Sequence, residues 1–101
     1  MTAYSALAEP TRREILDVLR GGERTAGELG ARLPLSQPGV SKHLKVLREA
    51  GLVEVRPEGK RRWYGLRAAP LAEVAGWLEP YRRHWPDRLD ALEQHLEDNP
   101  R

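Results

Sequence analysis

The apolar positions in the first third of the chain recur every three or four residues, which is the spacing of amphipathic helices. This spacing predicts a short helix over residues 4–8 and longer ones over 10–20 and 26–33. The last of these has a marked start, because Thr25 precedes Glu28 at the spacing of a capping box. The N-terminal third is therefore expected to consist of three helices and the turns between them.

The most clearly bounded helix begins after Ser36, whose hydroxyl suits an N-cap, and runs to Gly51. Val40, Leu44 and Leu47 recur at helical spacing and predict its buried face. At about 100° per residue, a set of polar side chains then points away from the core. That polar face consists of Gln37, Ser41, Lys42 and Lys45.

Two short segments rich in Val, Trp and Tyr follow, at residues 52–56 and 62–66. The turn-forming residues 57–61 separate them, so the pattern predicts a β-hairpin joined by a five-residue connection. Trp63 and Tyr64 must lie on opposite faces of the second strand, and the pattern does not decide which one packs on the core. The tip of the hairpin is basic, with Lys60, Arg61 and Arg62.

The C-terminal quarter has one apolar stripe whose spacing alternates between three and four residues. Its members are Leu71, Val74, Leu78, Tyr81, Trp85, Leu89, Leu92 and Leu96. Pro80 and Pro86 are expected to kink or split the helix over residues 70–97, because proline lacks the amide that a helix interior needs. A small core cannot enclose so many large apolar side chains, so the stripe needs an apolar partner.

Composition places the chain among globular proteins of one domain. It has 101 residues, of which 40% are hydrophobic and 32% are charged. Cysteine is absent, which excludes disulfides, thiolate metal sites and cysteine nucleophiles. The sequence has neither a signal peptide pattern nor an apolar run long enough to cross a membrane. We therefore expect a cytoplasmic protein with no membrane partner.

Positive charge is concentrated in the middle of the chain. Residues 36–67 hold eight Lys or Arg against three Asp or Glu, a net charge of +5, whereas residues 68–101 have a net charge of −3. Two short helices joined by a turn and followed by a hairpin with a cationic tip are the element order of a winged helix-turn-helix. The fold prediction is thus mainly α with a small β-hairpin wing: a helix-turn-helix over 25–50 and a wing over 52–66.

This arrangement predicts binding to double-stranded DNA. Gln37 has an amide that can bond a base edge, Ser41 adds a hydroxyl, and the lysines and wing cations suit phosphates. Ser36 lies at the same helix end, and His43, at the border of the buried face, is interpreted as a packed or phosphate-adjacent imidazole. The competing interpretation is that Lys42 and Lys45 are only solvated, and that the basic tip keeps an edge strand soluble.

The runs ALAEPTRREILDVL (residues 6–19) and LSQPGVSKHLKVLREAGLV (35–53) resemble the ArsR/SmtB family of bacterial transcriptional regulators. The resemblance covers most of the chain and includes the wing. It implies a homodimeric regulator, most simply a repressor, that binds an inverted-repeat operator. It also implies a dimer interface between the terminal helices over 3–8 and 70–97, which places Tyr4 and Leu7 in it together with the apolar stripe.

The resemblance raises the question of metals. Family members that sense arsenic, cadmium or lead use cysteines near the recognition helix, and this chain has none. Nickel and zinc sensors have a ligand pattern on the last helix that His84, His95 and Asp98 match in part, although Arg82 replaces its first carboxylate. A nickel- or zinc-responsive regulator is therefore the alternative hypothesis. The competing interpretation is that these histidines are ordinary surface residues that bind no metal.

Two other classes of function compete with these. An enzyme is not expected, because the basic region has no phosphate loop or carboxylate pair, and Ser41 and His43 diverge by about 200° on their helix. A winged helix used for protein interaction is a stronger rival. The salt dependence of binding distinguishes it from a DNA-binding protein, since phosphate binding weakens steeply as the salt concentration rises and apolar docking does not.

Overall fold

In the computed structural model, which describes residues 2–84, helices form the N-terminal half and a hairpin follows. The helices are α1 (Ala3–Leu7), α2 (Pro10–Leu19), α3 (Ala26–Arg32), α4 (Gln37–Glu49) and α5 (Ala69–Leu78). The strands are β1 (Val53–Glu58) and β2 (Arg61–Leu66), and a 3-10 helix spans Glu79–His84. Among these residues, no helix combines the length and apolar content that crossing a bilayer requires.

The helix starts follow from local side-chain chemistry. Thr25 and Glu28 form the predicted capping box, with the Glu28 amide donating to Thr25 Oγ1 and the Thr25 amide donating to Glu28 Oε1, both at 3.2 Å. Ser36 caps α4, accepting a hydrogen bond from the Gly39 amide at 3.1 Å. These bonds satisfy amides that have no partner within a helix, which is why α3 and α4 begin at these caps.

One apolar core joins the first four helices to the base of the hairpin. The first helix contributes only Ala6, α4 contributes its predicted face, and α2 and α3 contribute their buried apolar residues. Half-buried side chains such as Leu71 and Tyr64 pack around this core. The buried apolar residues are Ala6, Ile15, Leu16, Leu19, Leu29, Val40, Leu44, Leu47, Leu52 and Val53.

Two arginines of α2 cap the end of α1. Arg12 donates from Nε to the Ala6 carbonyl at 2.7 Å and from Nη2 to the Ser5 carbonyl at 3.3 Å. Arg13 donates from Nη1 to the Leu7 carbonyl at 2.7 Å. The last carbonyls of a helix lack internal partners, so these bonds hold the short α1 against α2.

The hairpin turn is tighter than the sequence predicts. The strands pair antiparallel from Val53 opposite Leu66 to Glu58 opposite Arg61, which leaves only Gly59 and Lys60 in the turn. Gly59 has a φ of 61, in the left-handed region, and no non-glycine residue in the described part has positive φ. Glycine at the first of two turn positions is the requirement of a type II′ turn. The predicted five-residue connection over 57–61 is therefore wrong, because strand pairing continues through its outer residues.

The structure also separates the two aromatic residues of β2. Tyr64 packs against the core, and its backbone forms a bridge with Arg24 through hydrogen bonds of 2.8 and 3.0 Å. Trp63 pairs with Arg56 in the register and so lies on the opposite face of the hairpin. The pairing with Arg24 extends the wing to the loop before α3.

The break expected at Pro80 is present, since α5 ends at Leu78 and the following turns are 3-10. No residue of α5 is fully buried. The rest of the predicted C-terminal helix lies outside the described residues. This applies to Trp85, Pro86, Leu89, Leu92, His95, Leu96 and Asp98.

Candidate nucleic-acid interface

Helix α4 separates an apolar face from a polar one as the periodicity predicts. Val40, Leu44 and Leu47 are 1%, 2% and 0% exposed. The opposite face is open to solvent, because core packing takes up only the apolar side. Its exposed members are Gln37, Ser41, Lys42 and Lys45.

Two further residues of this region have more restricted roles. The Ser36 side chain is exposed, but its Oγ already accepts the Gly39 amide as the cap of α4. His43 is half-buried, and its Nδ1 is buried without a hydrogen-bond partner. Only Nε2 of His43 is therefore available to a ligand, and the ring packs at the edge of the buried face.

The wing brings its cations to a groove beside α3. Strand β2 and the turn hold the basic side chains exposed, and the first turn of α3 forms the opposite wall. Sequence reasoning missed that Thr25 and Tyr64 belong to this groove, because only the bridge between Arg24 and Tyr64 brings the two segments together. The groove is lined by Thr25, Ala26, Glu28, Lys60, Arg61, Arg62 and Tyr64.

A second groove runs between α4 and β1. Lys45, Arg48 and Glu49 line it from the helix, and Val53, Glu54 and Val55 line it from the strand. Arg48 is exposed, and the sequence pattern did not single it out. Its position three residues after Lys45 places it about one helical turn further along, in a groove that also holds the carboxylates of Glu49 and Glu54.

The charge of Arg56 is balanced by neighbours, unlike those of the wing tip. Its guanidinium contacts Glu23 Oε1 at 3.0 Å and Glu58 Oε2 at 2.9 Å. The hydrogen bond with Glu23, followed by that with Glu58, raises the pKa of Arg56 above its usual value. Within residues 2–84 these are the only ion pairs, so the wing-tip cations are not committed to carboxylates.

The residues expected at a dimer interface divide into two groups. Leu7 and Leu71 pack against the core, and Val74 is half-buried. Tyr4, Leu78 and Tyr81 are exposed, and together with Trp77, which the spacing did not predict, they form a terminal aromatic patch. The exposed fractions of Tyr4, Trp77, Leu78 and Tyr81 are 51%, 55%, 37% and 49%.

Ring contacts join the patch across α1, α5 and the 3-10 helix. The Trp77 ring centroid lies 5.9 Å from that of Tyr4 on α1 and 5.1 Å from that of Tyr81. Trp77 falls outside the stripe predicted from spacing, which continues from Val74 to Leu78. It joins the patch because α1 lies beside α5.

Metal-ligating side chains do not cluster in the part of the chain that the structure describes. No group of three or more His, Cys, Asp or Glu residues there could hold an ion. His84 is exposed at the end of the 3-10 helix, while His95 and Asp98 lie outside the described residues. The residues described thus do not fit a metal centre by themselves.

Comparison with known proteins gives consistent matches. A helix-turn-helix domain model matches residues 7–56. The transcriptional repressor SdpR of Bacillus subtilis is 35% identical over 74% of this chain and 83% of its own length. An HTH-type transcriptional regulator of Mycobacterium tuberculosis is 43% identical over 94% of this chain and 86% of its own.

The fold also has a close structural counterpart. An ArsR-like transcriptional regulator from Rhodococcus sp. RHA1 superposes with a TM-score of 0.70 and is 37% identical. The match covers 90% of this chain and 86% of the other. All three of these proteins are transcriptional regulators rather than enzymes.

Proposed function

The chain belongs to the ArsR family of winged helix-turn-helix, DNA-binding transcriptional regulators, and we propose that it represses transcription as a homodimer on an inverted-repeat operator. One observation carries the proposal for the site. The polar face of α4 and the basic tip of the wing are both exposed, and the core holds them on one small domain. A duplex can then contact the helix in its major groove and the wing beside it.

The residues of α4 divide by chemistry. Gln37 and Ser41 lie near the N-terminal end, where an amide and a hydroxyl can form hydrogen bonds with base edges. Lys42 and Lys45 have ammonium groups that suit phosphates, and His43 can add Nε2. Ser36 contributes mainly by starting the helix at this position, through its bond to Gly39.

The wing cations have a separate role. Lys60, Arg61 and Arg62 line the groove beside Thr25 and Tyr64, so a sugar-phosphate strand lying there would meet three positive side chains. Phosphate contacts of this kind position a protein on DNA without selecting sequence. We assign the wing to affinity and α4 to specificity.

The terminal aromatic patch supports the homodimer. Its three aromatic rings and one leucine are 37% to 55% exposed. A contiguous apolar surface of this kind is unfavourable for a monomer of this size, and a second copy would cover it. Two-fold symmetry then presents two copies of α4. Recognition helices about 34 Å apart would require half-sites centred about one turn of B-DNA apart.

A cytoplasmic location follows from this role, since the operator is there. Selection of duplexes from a randomised pool tests the function. We expect an enriched inverted repeat, and we expect binding to weaken steeply with salt as condensed counterions are released from phosphates. No enrichment, with salt-independent binding to another protein, would instead favour an interaction module.

A further inference from the structure

Glu23 connects the loop before α3 to the far strand of the wing. Its Oε1 accepts from Arg56 Nη2 at 3.0 Å, and its Oε2 accepts from Arg56 Nε at 3.3 Å. Arg56 also donates from Nη1 to Glu58 at 2.9 Å. Both carboxylate oxygens of Glu23 are therefore engaged by one guanidinium, a geometry that restrains direction as well as distance. We call these three residues the Glu23 clamp.

The path of the Glu23 side chain depends on a glycine in β2. A Cβ at Gly65 would lie 3.5 Å from Glu23 Cγ and 3.7 Å from its Oε2. Glu23 thus lies directly over Gly65, on the way from its own loop to Arg56 in β1. The adjacent backbone bridge between Arg24 and Tyr64 ties the same loop to β2. Together these contacts hold both strands of the wing against one loop.

The clamp is better suited to orientation than to stability. Its side chains are 43% to 63% exposed. Exposed ion pairs contribute little to the free energy of unfolding. A two-stranded hairpin is only marginally stable by itself, so its outer part depends on such contacts for a defined angle. Lys60 lies only four residues beyond Arg56, so a tilt at Arg56 moves the tip directly.

We propose that the Glu23 clamp sets the angle of the wing, which makes Glu23 and Arg56 positioning residues for DNA binding without contact to DNA. The inference rests on the proposed role of the wing cations. The predicted change in DNA affinity is opposite in sign to the change expected from charge alone. Removing a carboxylate near a phosphate-binding surface should raise affinity for DNA by electrostatics alone, whereas loss of the clamp should lower it.

The experiment compares Glu23→Ala with Glu14→Ala. Glu14 is an exposed carboxylate on α2 that makes no ion pair in the described part of the chain and lines neither groove of the candidate interface. The probe is a labelled duplex selected by the wild-type protein, with a scrambled duplex alongside. We expect Glu23→Ala to weaken binding to the selected duplex on the order of three- to tenfold, and Glu14→Ala to leave it unchanged or tighter.

A second variant keeps the charge. Arg56→Lys retains one positive charge but loses the planar fork, so it should weaken binding in the same direction as Glu23→Ala. If circular dichroism shows that Glu23→Ala is unfolded, the DNA affinity of Arg56→Lys tests the proposal in its place. Wild-type affinity for Arg56→Lys, or tighter binding by a folded Glu23→Ala, would overturn the proposal.

A double-mutant cycle between Glu23 and the wing tip distinguishes a failure of the clamp from a failure of the proposed role of the wing. Arg61→Ala is measured in the wild-type and Glu23→Ala backgrounds. We expect Arg61→Ala to weaken DNA binding less in the Glu23→Ala background, because a displaced wing tip already makes fewer contacts with DNA. Equal costs in both backgrounds would overturn the clamp. No cost in the wild type would instead show that the proposed role of the wing is wrong.

Discussion

Replacing Arg12 with alanine should weaken the attachment of α1 to the rest of the domain. Arg12 makes two hydrogen bonds to the carbonyls of Ala6 and Ser5, at 2.7 and 3.3 Å, and its side chain is half-buried. A hydrogen bond to a charged group contributes about 1.5 to 3 kcal/mol, and the shorter bond here has favourable geometry. Because α1 has only five residues, it cannot remain helical without such contacts. We expect Arg12→Ala to lower the free energy of unfolding by about 2 kcal/mol.

Urea unfolding followed by circular dichroism, at one fixed protein concentration, measures this loss. Arg20→Ala is the matched control, because Arg20 belongs to the C-terminal end of the same helix and its exposed side chain makes no hydrogen bond or ion pair within residues 2–84. We expect the control to stay within about 0.5 kcal/mol of the wild type. A loss for Arg12→Ala as small as that of the control would refute the capping role.

Three further expectations concern function. Lys45→Ala should weaken binding to all duplexes alike, whereas Gln37→Ala should cost about 1 to 3 kcal/mol on the selected duplex only; equal losses on every sequence would refute these roles. Trp77→Ala should shift the dimer toward monomer in sedimentation velocity, because it removes the central ring of the terminal aromatic patch; a monomeric wild type at micromolar concentration would contradict the homodimer. Nickel or zinc should bind only weakly, because Arg82 replaces the first carboxylate of the ligand pattern and its positive charge repels a divalent cation. Calorimetric isotherms that are identical for the wild type and for the His84→Ala/His95→Ala variant would show that these histidines hold no metal.

Local sequence determined the helices and the face of α4. Capping bonds join residues three apart, and the apolar spacing of Val40, Leu44 and Leu47 reflects a single helix, so both can be recognised from neighbouring positions. The exposed polar face followed directly, since one side of α4 had to enter the core. The break near Pro80 followed for a similar reason, because proline acts on its own turn.

Tertiary structure decided the contacts between distant positions. The wing turn shortened to two residues because strand pairing extended past Pro57. Glu23 reached Arg56, and Trp77 joined Tyr4, through packing that no periodicity encodes. Arg12 caps another helix, a contact that the pattern within α2 does not indicate. Each of these contacts depends on how two elements are oriented in space, and a pattern within one element has no information about that orientation.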